Sequence, residues 1–173
     1  NAHPGEYGTD YHYDGPESME FLAARGWRTV KVPLRWERIQ PTIRGSLDPA
    51  ELERLHTFVG HCASAGLKVN LDIHNYGLYY RDIDGVGHRT PIGHPELPVS
   101  AFADLWHRLA LAFRDSPQVT TFTLMAEPQD RGGLSADVWR TASQAAVAAI
   151  RGVDPQLEIH VAGWQWSSLR YWT

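Results

Sequence analysis

One acidic side chain, Glu127, follows a strand-like segment and has the chemistry to donate or accept a proton there. Residues 119–125 mix β-branched and large apolar side chains over a strand's length, and Pro128 ends the segment. Strand alternation places Thr121, Thr123, Met125 and Glu127 on one face. Parallel α/β folds carry their chemistry at the carboxyl ends of strands. Glu127 is therefore a candidate general acid or base, although an N-capping or ion-paired glutamate in an ordinary loop would show the same pattern.

Two earlier strand-like segments also carry polar side chains. Residues 68–74 alternate apolar side chains with polar ones and end in His74, and the preceding segment carries Lys31 opposite its apolar face. A strand covered by helices on both faces of an open sheet is apolar on both faces. One polar face that ends in a histidine fits better with a barrel whose mouth is an active site. His74 could equally be a buried core group, and Lys31 could simply form an ion pair with Asp72 or Glu127.

Aromatic residues at predicted strand ends are candidate platforms for sugar rings. The chain contains seven Trp and seven Tyr, more aromatic surface than packing of a domain this size needs. Four of these residues follow predicted strands: Trp36, Tyr76, Trp164 and Trp166. Each of them could instead pack under a loop.

Residues 75–100 are rich in Gly, Pro and Tyr and are predicted to form a long loop at the same edge of the sheet. The segment contains His88, His94, Asp82 and Asp84, whose spacing matches no recognisable metal-ligand motif. We therefore expect neither a metal nor a cofactor.

Helices must connect these strands. Apolar residues at helical spacing, with Pro, Asp and Ser near the starts, predict helices at about 15–26, 47–67, 101–114 and 135–151. Cys62 is predicted to be a core residue of the second helix, and the last strand is predicted over 158–164. The order α-β-α-β-α-β-α-β fits either a small doubly wound sheet or half of a (β/α)8 barrel.

The polar strand faces, and a chain without a Gly-rich phosphate loop after any strand, favour the α/β barrel. A whole barrel typically needs about 250 residues. We therefore predict that residues 1–173 form a single domain, a partial (β/α)8 TIM barrel of about half the strands. Alone, it would leave unpaired edges at the strands beginning at Thr29 and Glu158, and would expose Asn70 and Asp72.

The charge and composition of the chain limit the classes of molecule that it is expected to bind. The formal net charge of −4 gives no reason to expect nucleic acid or an anionic membrane as a partner. The sequence has no apolar run of membrane-spanning length, and its single cysteine excludes an internal disulfide.

Three stretches resemble glycoside hydrolase family 5, particularly its endoglucanase-like members. They are residues 29–41 (TVKVPLRWERIQP), 70–77 (NLDIHNYG) and 124–128 (LMAEP), and residues 4–11 also look like the loop after the first barrel strand in that family. By this resemblance the chain runs from just after strand one to just after strand five. Strands one, six, seven and eight of the barrel would then lie outside it.

The resemblance implies that Glu127 is the general acid/base of a retaining endo-β-glycanase that hydrolyses a β-linked, cellulose-like polysaccharide. It implies that His74 lines the catalytic site. Lys31 stands where the family normally has an Arg that hydrogen-bonds the nucleophile, and the nucleophilic Glu belongs to strand seven. Ala126 stands where the family normally has an Asn that holds the sugar 2-hydroxyl. The implied substrate contacts are Ala126, Asn75, Tyr76, Trp36, Trp164 and Trp166.

These departures leave alternatives open. A retaining glycosidase needs two carboxyl groups about 5 to 5.5 Å apart, and Glu127 alone supplies one. Ala126 cannot hydrogen-bond a 2-hydroxyl, and Lys31 lacks the bidentate fork of an arginine. The protein either tolerates weaker catalysis, has turned to binding carbohydrate or a partner chain, or carries Ala126 as an engineered substitution.

We expect β-linked oligo- or polysaccharide and the missing remainder of the barrel as partners. We also expect a secreted protein whose signal peptide is not in this chain.

Overall fold

A computed structural model describes residues 4–130 and 132–171 of the chain. The predicted domain over 1–173 also includes residues 1–3, 131 and 172–173, which lie outside the described part. In chain order the elements are α1 (Pro16–Ala24), β1 (Thr29–Leu34), α2 (Trp36–Ile39), α3 (Pro49–Ser64), β2 (Lys68–Ile73), β3 (Leu78–Ile83), β4 (Val86–Pro91), α4 (Val99–Phe113), β5 (Val119–Thr123), α5 (Ala136–Arg151), β6 (Glu158–His160), α6 (Trp164–Ser167) and a 3-10 turn (Leu169–Tyr171).

The main sheet has four parallel strands in the order β1-β2-β5-β6. Each consecutive pair is joined through a helix, as right-handed βα units require. The strands do not close on themselves, so β1 and β6 are the edges of the sheet. The prediction of a partial barrel with unpaired edges at the strands of Thr29 and Glu158 is confirmed.

Helix starts follow the expected chemistry. Asp48 caps α3 by accepting a hydrogen bond from the Glu51 backbone N–H at 2.7 Å. Ser135 caps α5 in the same way, through Val138 at 3.2 Å. Cys62, on α3, is fully buried as predicted. No helix in the described part of the chain is both long and apolar enough to cross a bilayer.

The core lies between the helices and one face of the sheet. Trp106 of α4 packs its ring 4.9 Å from that of Phe122 on β5, and its indole N–H donates to the Leu124 carbonyl at 3.2 Å. Phe102 of α4 in turn contacts Trp139 of α5, with ring centroids 5.9 Å apart. These contacts fix the orientation of β5, the strand that precedes Glu127.

The opposite face of the sheet corrects one expectation. Asn70 and Asp72 are 8% and 0% exposed, although an isolated half barrel was expected to expose them. Thr123 Oγ1 donates to Asn70 Oδ1 at 3.0 Å, and Lys31 and His74 contact Asp72. Side chains of neighbouring strands and strand ends therefore cover these groups without a closed barrel.

The predicted loop over residues 75–100 is wrong in its interior, which forms an antiparallel hairpin of β3 and β4. Asp84 and Gly85 are its two loop residues, and both have positive φ, at 53° and 78°. This is the geometry of a type I′ turn, for which Asp-Gly is a preferred sequence. The predicted strand over 158–164 is also shorter than expected, because β6 ends at His160 and a tight turn, α6, follows at Trp164.

Candidate active site

Glu127 lies beyond the carboxyl end of β5 and projects into an open cleft. β5 ends at Thr123, and the Ala126 N–H donates to the Ile73 carbonyl at 2.9 Å, which ties this segment to the end of β2. Glu127 has a φ of 53° and an exposed side chain. Glu127 therefore lies outside the strand, and the direction of its side chain is set by left-handed backbone at this residue and not by the alternation of a strand.

The cleft has a volume of about 430 Å³. The predicted site residues that line it are Glu127, Asn75, Tyr76 and Trp166. Residues that we did not predict complete the lining: Arg35, Glu37, Leu78, Tyr80, Arg89 and Gln129.

Left-handed backbone in non-glycine residues is concentrated around this cleft. Tyr76 has a φ of 58°, and Gln165 and Trp166 have φ values of 51° and 59°. Such conformations cost on the order of 1 to 3 kcal/mol each and persist where the surroundings impose them, often at functional sites. Three of the lining residues, Tyr76, Glu127 and Trp166, adopt them.

Lys31, Asp72 and His74 form a second group at the same strand ends. Asp72 is fully buried, and its Oδ2 lies 3.0 Å from Lys31 Nζ and 3.1 Å from His74 Nδ1. Asp72 and Glu127 were the two expected ion-pair partners of Lys31, and the structure shows the pair with Asp72. The contact favours a proton on His74 Nδ1, which leaves Nε2 for a further partner. Asp72 Oδ1 is buried and has no hydrogen-bond partner in the described part of the chain.

This group does not line the cleft of Glu127. Lys31 and His74 each line a smaller neighbouring cavity, and Arg35 is common to both of these cavities and the cleft. His74 also packs edge to face on Tyr76, with ring centroids 5.2 Å apart. The two groups of predicted residues are therefore adjacent and linked through Tyr76 and Arg35.

Asn75 lines the cleft, but its side-chain amide is hydrogen-bonded within the protein. Its side chain is 4% exposed. The Trp36 N–H donates to Asn75 Oδ1 at 2.8 Å, and Asn75 Nδ2 donates to Glu37 Oε2 at 2.5 Å. Because both ends of the amide are bonded to the protein, Asn75 joins the end of β2 to the start of α2.

Trp36 is wrong as a predicted sugar platform. It is fully buried, its indole N–H donates to Gln40 Oε1 at 2.9 Å, and its ring packs edge to face on Tyr79. The reason is that α2 begins at Trp36 and turns the ring into the core. Tyr79 donates its hydroxyl to the Gln40 carbonyl at 2.7 Å, and burial raises the pKa of this phenol.

Trp164 also lies away from the cleft. It lines a separate groove of about 930 Å³ beside α5, together with Trp139 and Val147. Trp166, by contrast, is 54% exposed and lies in the cleft. Ala126 is 6% exposed and does not line the cleft.

The hairpin supplies cleft residues that sequence reasoning missed. Tyr80 and Arg89 are direct cross-strand partners, so they share one face of the hairpin, and both line the cleft. The Asp84-Gly85 pair between Ile83 and Val86 was the available signal for this hairpin. In the described part of the chain, no cluster of three or more His, Cys, Asp or Glu residues could hold a metal ion.

Parallel βα units with a carboxylate and exposed aromatics at the strands' carboxyl ends are typical of barrel enzymes that act on sugars. The chain belongs to the cellulase family, glycosyl hydrolase family 5, whose sequence profile matches residues 1–171. The resemblance seen in the sequence is thus confirmed.

Individual relatives agree with this assignment. Endo-beta-1,4-glucanase B of Aspergillus niger is 29% identical over 170 residues, covering 98% of this chain and 46% of the relative. Among solved structures, Pseudomonas stutzeri endoglucanase Cel5A in complex with cellobiose is 35% identical, with a TM-score of 0.87, covering 99% of this chain and 48% of that one. XacCel5A in complex with cellopentaose is also 35% identical, with a TM-score of 0.85, covering 96% of this chain and 50% of that one. The chain therefore spans about half the length of the relatives that it matches.

Proposed function

We propose that this chain supplies the acid/base half of the active site of a retaining, cellulase-like endo-β-glycanase. The observation that carries the proposal is the position of Glu127, exposed in a cleft at the carboxyl end of β5. Trp166 and Tyr76 line the same cleft, and their rings offer flat apolar surfaces to sugar rings. The relatives with bound cellobiose and cellopentaose support a β-linked oligosaccharide as the ligand.

In this mechanism Glu127 first protonates the leaving glycosidic oxygen and then, as a carboxylate, removes a proton from the attacking water. A second carboxylate about 5 to 5.5 Å away attacks the anomeric carbon. Glu37 shares the cleft, but it is 4% exposed and accepts the hydrogen bond from Asn75. A buried carboxylate held in this way cannot approach an anomeric carbon, so we assign the nucleophile to the remainder of the barrel.

The remainder of the barrel is the expected protein partner. The unpaired edges of β1 and β6 would both be sealed by one contiguous segment in a closed barrel. For the whole protein we propose secretion, because its polymeric substrate is found outside cells.

A non-catalytic carbohydrate-binding role is the second candidate. Two observations favour it: Ala126 offers no hydrogen bond to a sugar 2-hydroxyl, and Lys31 is engaged with Asp72. Binding through Trp166 and Tyr76 requires neither of these groups, so a protein in this role would bind carbohydrate in the cleft without hydrolysing it.

The test is hydrolysis of cellopentaose by the native full-length protein, with the anomer of the first product followed by NMR. Hydrolysis with initial release of the β-anomer supports the retaining glycanase. Release of the α-anomer overturns the retaining mechanism, and saturable binding without hydrolysis supports the binding role. Glu127→Gln should lower the rate of this hydrolysis, because it removes the proposed general acid. Glu53→Gln is its matched control, because Glu53 is an exposed carboxylate on α3 away from the cleft.

A further inference from the structure

Arg89 is directed at the cleft by the register of the hairpin. It pairs directly with Tyr80 across β3 and β4, and successive side chains of a strand point to opposite faces. Gly87 leaves room for Tyr80, since a Cβ at that position would lie 2.2 Å from the Tyr80 hydroxyl. Tyr80 and Arg89 therefore present one face of the hairpin to the cleft.

The base of the hairpin is anchored to the rest of the fold. The Ile92 N–H donates to the Gly77 carbonyl at 3.0 Å, and Arg81 donates to Glu96 and, at 3.3 Å, to Thr90. Arg89 thus stands on a supported element rather than on a free loop.

Arg35 reaches the same cleft from another element. It immediately precedes α2, is half-buried, and its guanidinium carbon lies 6.0 Å from the centre of the Tyr76 ring. Arg35 and Arg89 come from segments far apart in the sequence, yet both line the cleft with Glu127.

Neither arginine has a carboxylate partner among residues 4–130 and 132–171. The contrast within the hairpin is direct, because Arg81 forms an ion pair with Glu96 on the other face. Asp82, two residues after Tyr80 on β3, accepts from the Gly85 N–H at 2.8 Å in the turn.

The acidic side chains that line the cleft are Glu127 and Glu37. Glu37 is bonded to Asn75, and Glu127 must carry a proton to act as a general acid. In that state two guanidinium groups and one carboxylate line the cleft among the described residues. A neutral glucan offers neither guanidinium group a carboxylate.

We infer that the cleft recognises β-linked gluco-oligosaccharides that carry a carboxylate, through Arg35 and Arg89. Guanidinium groups bind carboxylates in a bidentate manner. Trp166, which is 54% exposed in the same cleft, offers a ring on which a sugar can stack. The inference rests on the proposed glucan-binding function of the cleft and adds an acidic substrate class to it. The carboxylate has two chemical sources: a uronate, oxidised at C6 within the chain, or an aldonate, oxidised at C1 at the reducing end.

The experiment measures dissociation constants by calorimetry for three ligands of the intact protein. They are cellotetraose, a tetrasaccharide of the same linkage with one C6 carboxylate, and cellotetraonic acid with its C1 carboxylate. We expect at least one acidic ligand to bind roughly 3- to 10-fold more tightly than cellotetraose at low salt, because each partly exposed ion pair adds a modest gain. The gain should shrink at high salt.

Substitutions of the two arginines test whether they cause the preference for the acidic ligand. Arg35→Gln and Arg89→Gln should each reduce the preference for the acidic ligand, measured as the ratio of its affinity to that of cellotetraose. Arg114→Gln removes the same charge at the end of α4, where Arg114 contacts Asp115, and should leave the preference unchanged. A preference confined to the C6 or the C1 ligand identifies the source of the carboxylate.

The outcomes separate the two proposals. If all three ligands bind equally, or if the arginine variants keep the preference, acidic recognition is overturned while glucan binding stands. If cellotetraose does not bind but an acidic ligand does, the cleft recognises carboxylates and the neutral glucanase proposal fails. If none of the three binds, both proposals are overturned.

Discussion

Two adjacent groups of polar residues at the strand ends differ in how firmly the protein holds them. Asp72 is buried and contacts Lys31 and His74 within 3.1 Å. Glu127, on the other side of Tyr76, is exposed and itself has left-handed backbone, with a φ of 53°. The first group is held by charge pairing inside the fold, whereas the second faces open space that a ligand or further chain can fill. The difference supports the proposal that binding and chemistry take place in the Glu127 cleft, with the Asp72 group in a positioning role.

The largest expected effect comes from Glu127→Gln in the full protein. General acid catalysis is worth roughly 10²- to 10⁴-fold, so hydrolysis of an oligosaccharide with a poor leaving group should fall by about that factor. The first step on an activated aryl glycoside, which needs little protonation, should fall much less. Equal losses on both substrates would assign Glu127 a structural role and remove the contrast with Asp72.

Lys31→Met tests the charge pairing at Asp72. This change leaves a buried carboxylate with only His74 beside it, and removing one partner of a buried pair typically costs about 3 to 5 kcal/mol. Lys31 is 49% exposed, so we expect a smaller loss of about 2 kcal/mol in unfolding free energy, measured by urea denaturation.

Asp72→Asn is the matched variant, and it should cost less, because Lys31 can then be hydrated. Lys31→Arg should keep most of the stability, since it retains the charge. If Lys31→Met were neutral, Asp72 would not depend on this ion pair, and the Asp72 group would be no better held than the cleft.

Ala126 is buried beside Glu127 and does not itself line the cleft, so Ala126→Asn tests whether an amide at this position can reach a bound sugar and add a transition-state contact. An added hydrogen bond to the sugar 2-hydroxyl, formed mainly in the transition state, is worth about 1 to 3 kcal/mol, or roughly ten- to a hundredfold in kcat/KM. Steady-state kinetics on β-glucans and β-mannans should show a larger change in kcat than in KM. No gain on any of these substrates would favour the non-catalytic role.

Gly85→Ala tests how far the hairpin supports the cleft. Gly85 has a φ of 78°, which strains any L side chain, while a Cβ there would contact nothing within 4 Å. The cost is therefore backbone strain alone, about 1 kcal/mol, together with weaker cellopentaose binding if Tyr80 and Arg89 shift.

Gly60→Ala is the control for this variant. Gly60 lies inside α3, and its added Cβ would also contact nothing within 4 Å, so the change should stabilise the protein by roughly 0.5 to 1 kcal/mol. A thermal unfolding series would contradict this reasoning if both alanines had the same sign.

The smallest expected effect is a decline in stability at alkaline pH. Burial, followed by the hydrogen bond to Glu51, raises the pKa of Tyr11 to about 12 from 10.0. Because the folded-state pKa is the higher one, the stabilisation is complete below about pH 10 and is lost as the pH rises toward 12. Tyr11→Phe should flatten part of this decline in unfolding free energy, and an unchanged pH profile would show that the bond contributes nothing.

Much of the fold was predictable from periodicity. The four predicted helices, which correspond to α1, α3, α4 and α5, and the parallel strands were found because buried faces repeat at helical or strand spacing. The β3-β4 hairpin was missed because its Gly- and Pro-rich neighbourhood was typical of a loop, although Asp84-Gly85 indicated a tight turn. Residues 165–167 adopt left-handed backbone without any glycine, which local propensity does not predict.

The candidate site divides in the same way. Residue type and position after a strand made Glu127 a candidate, because the edge of a parallel sheet is set by the direction of its strands, but they left a capped or ion-paired loop glutamate as the alternative. Sequence alone could not separate Trp36 from Trp166, since each follows a predicted strand and each could serve either packing or binding. Tertiary packing decided between them: α2 turns Trp36 into the core, while the turn at 164–167 leaves Trp166 exposed in the cleft. Burial depends on which distant segments cover a side chain, and that arrangement exists only once the sheet, the hairpin and the helices have assembled.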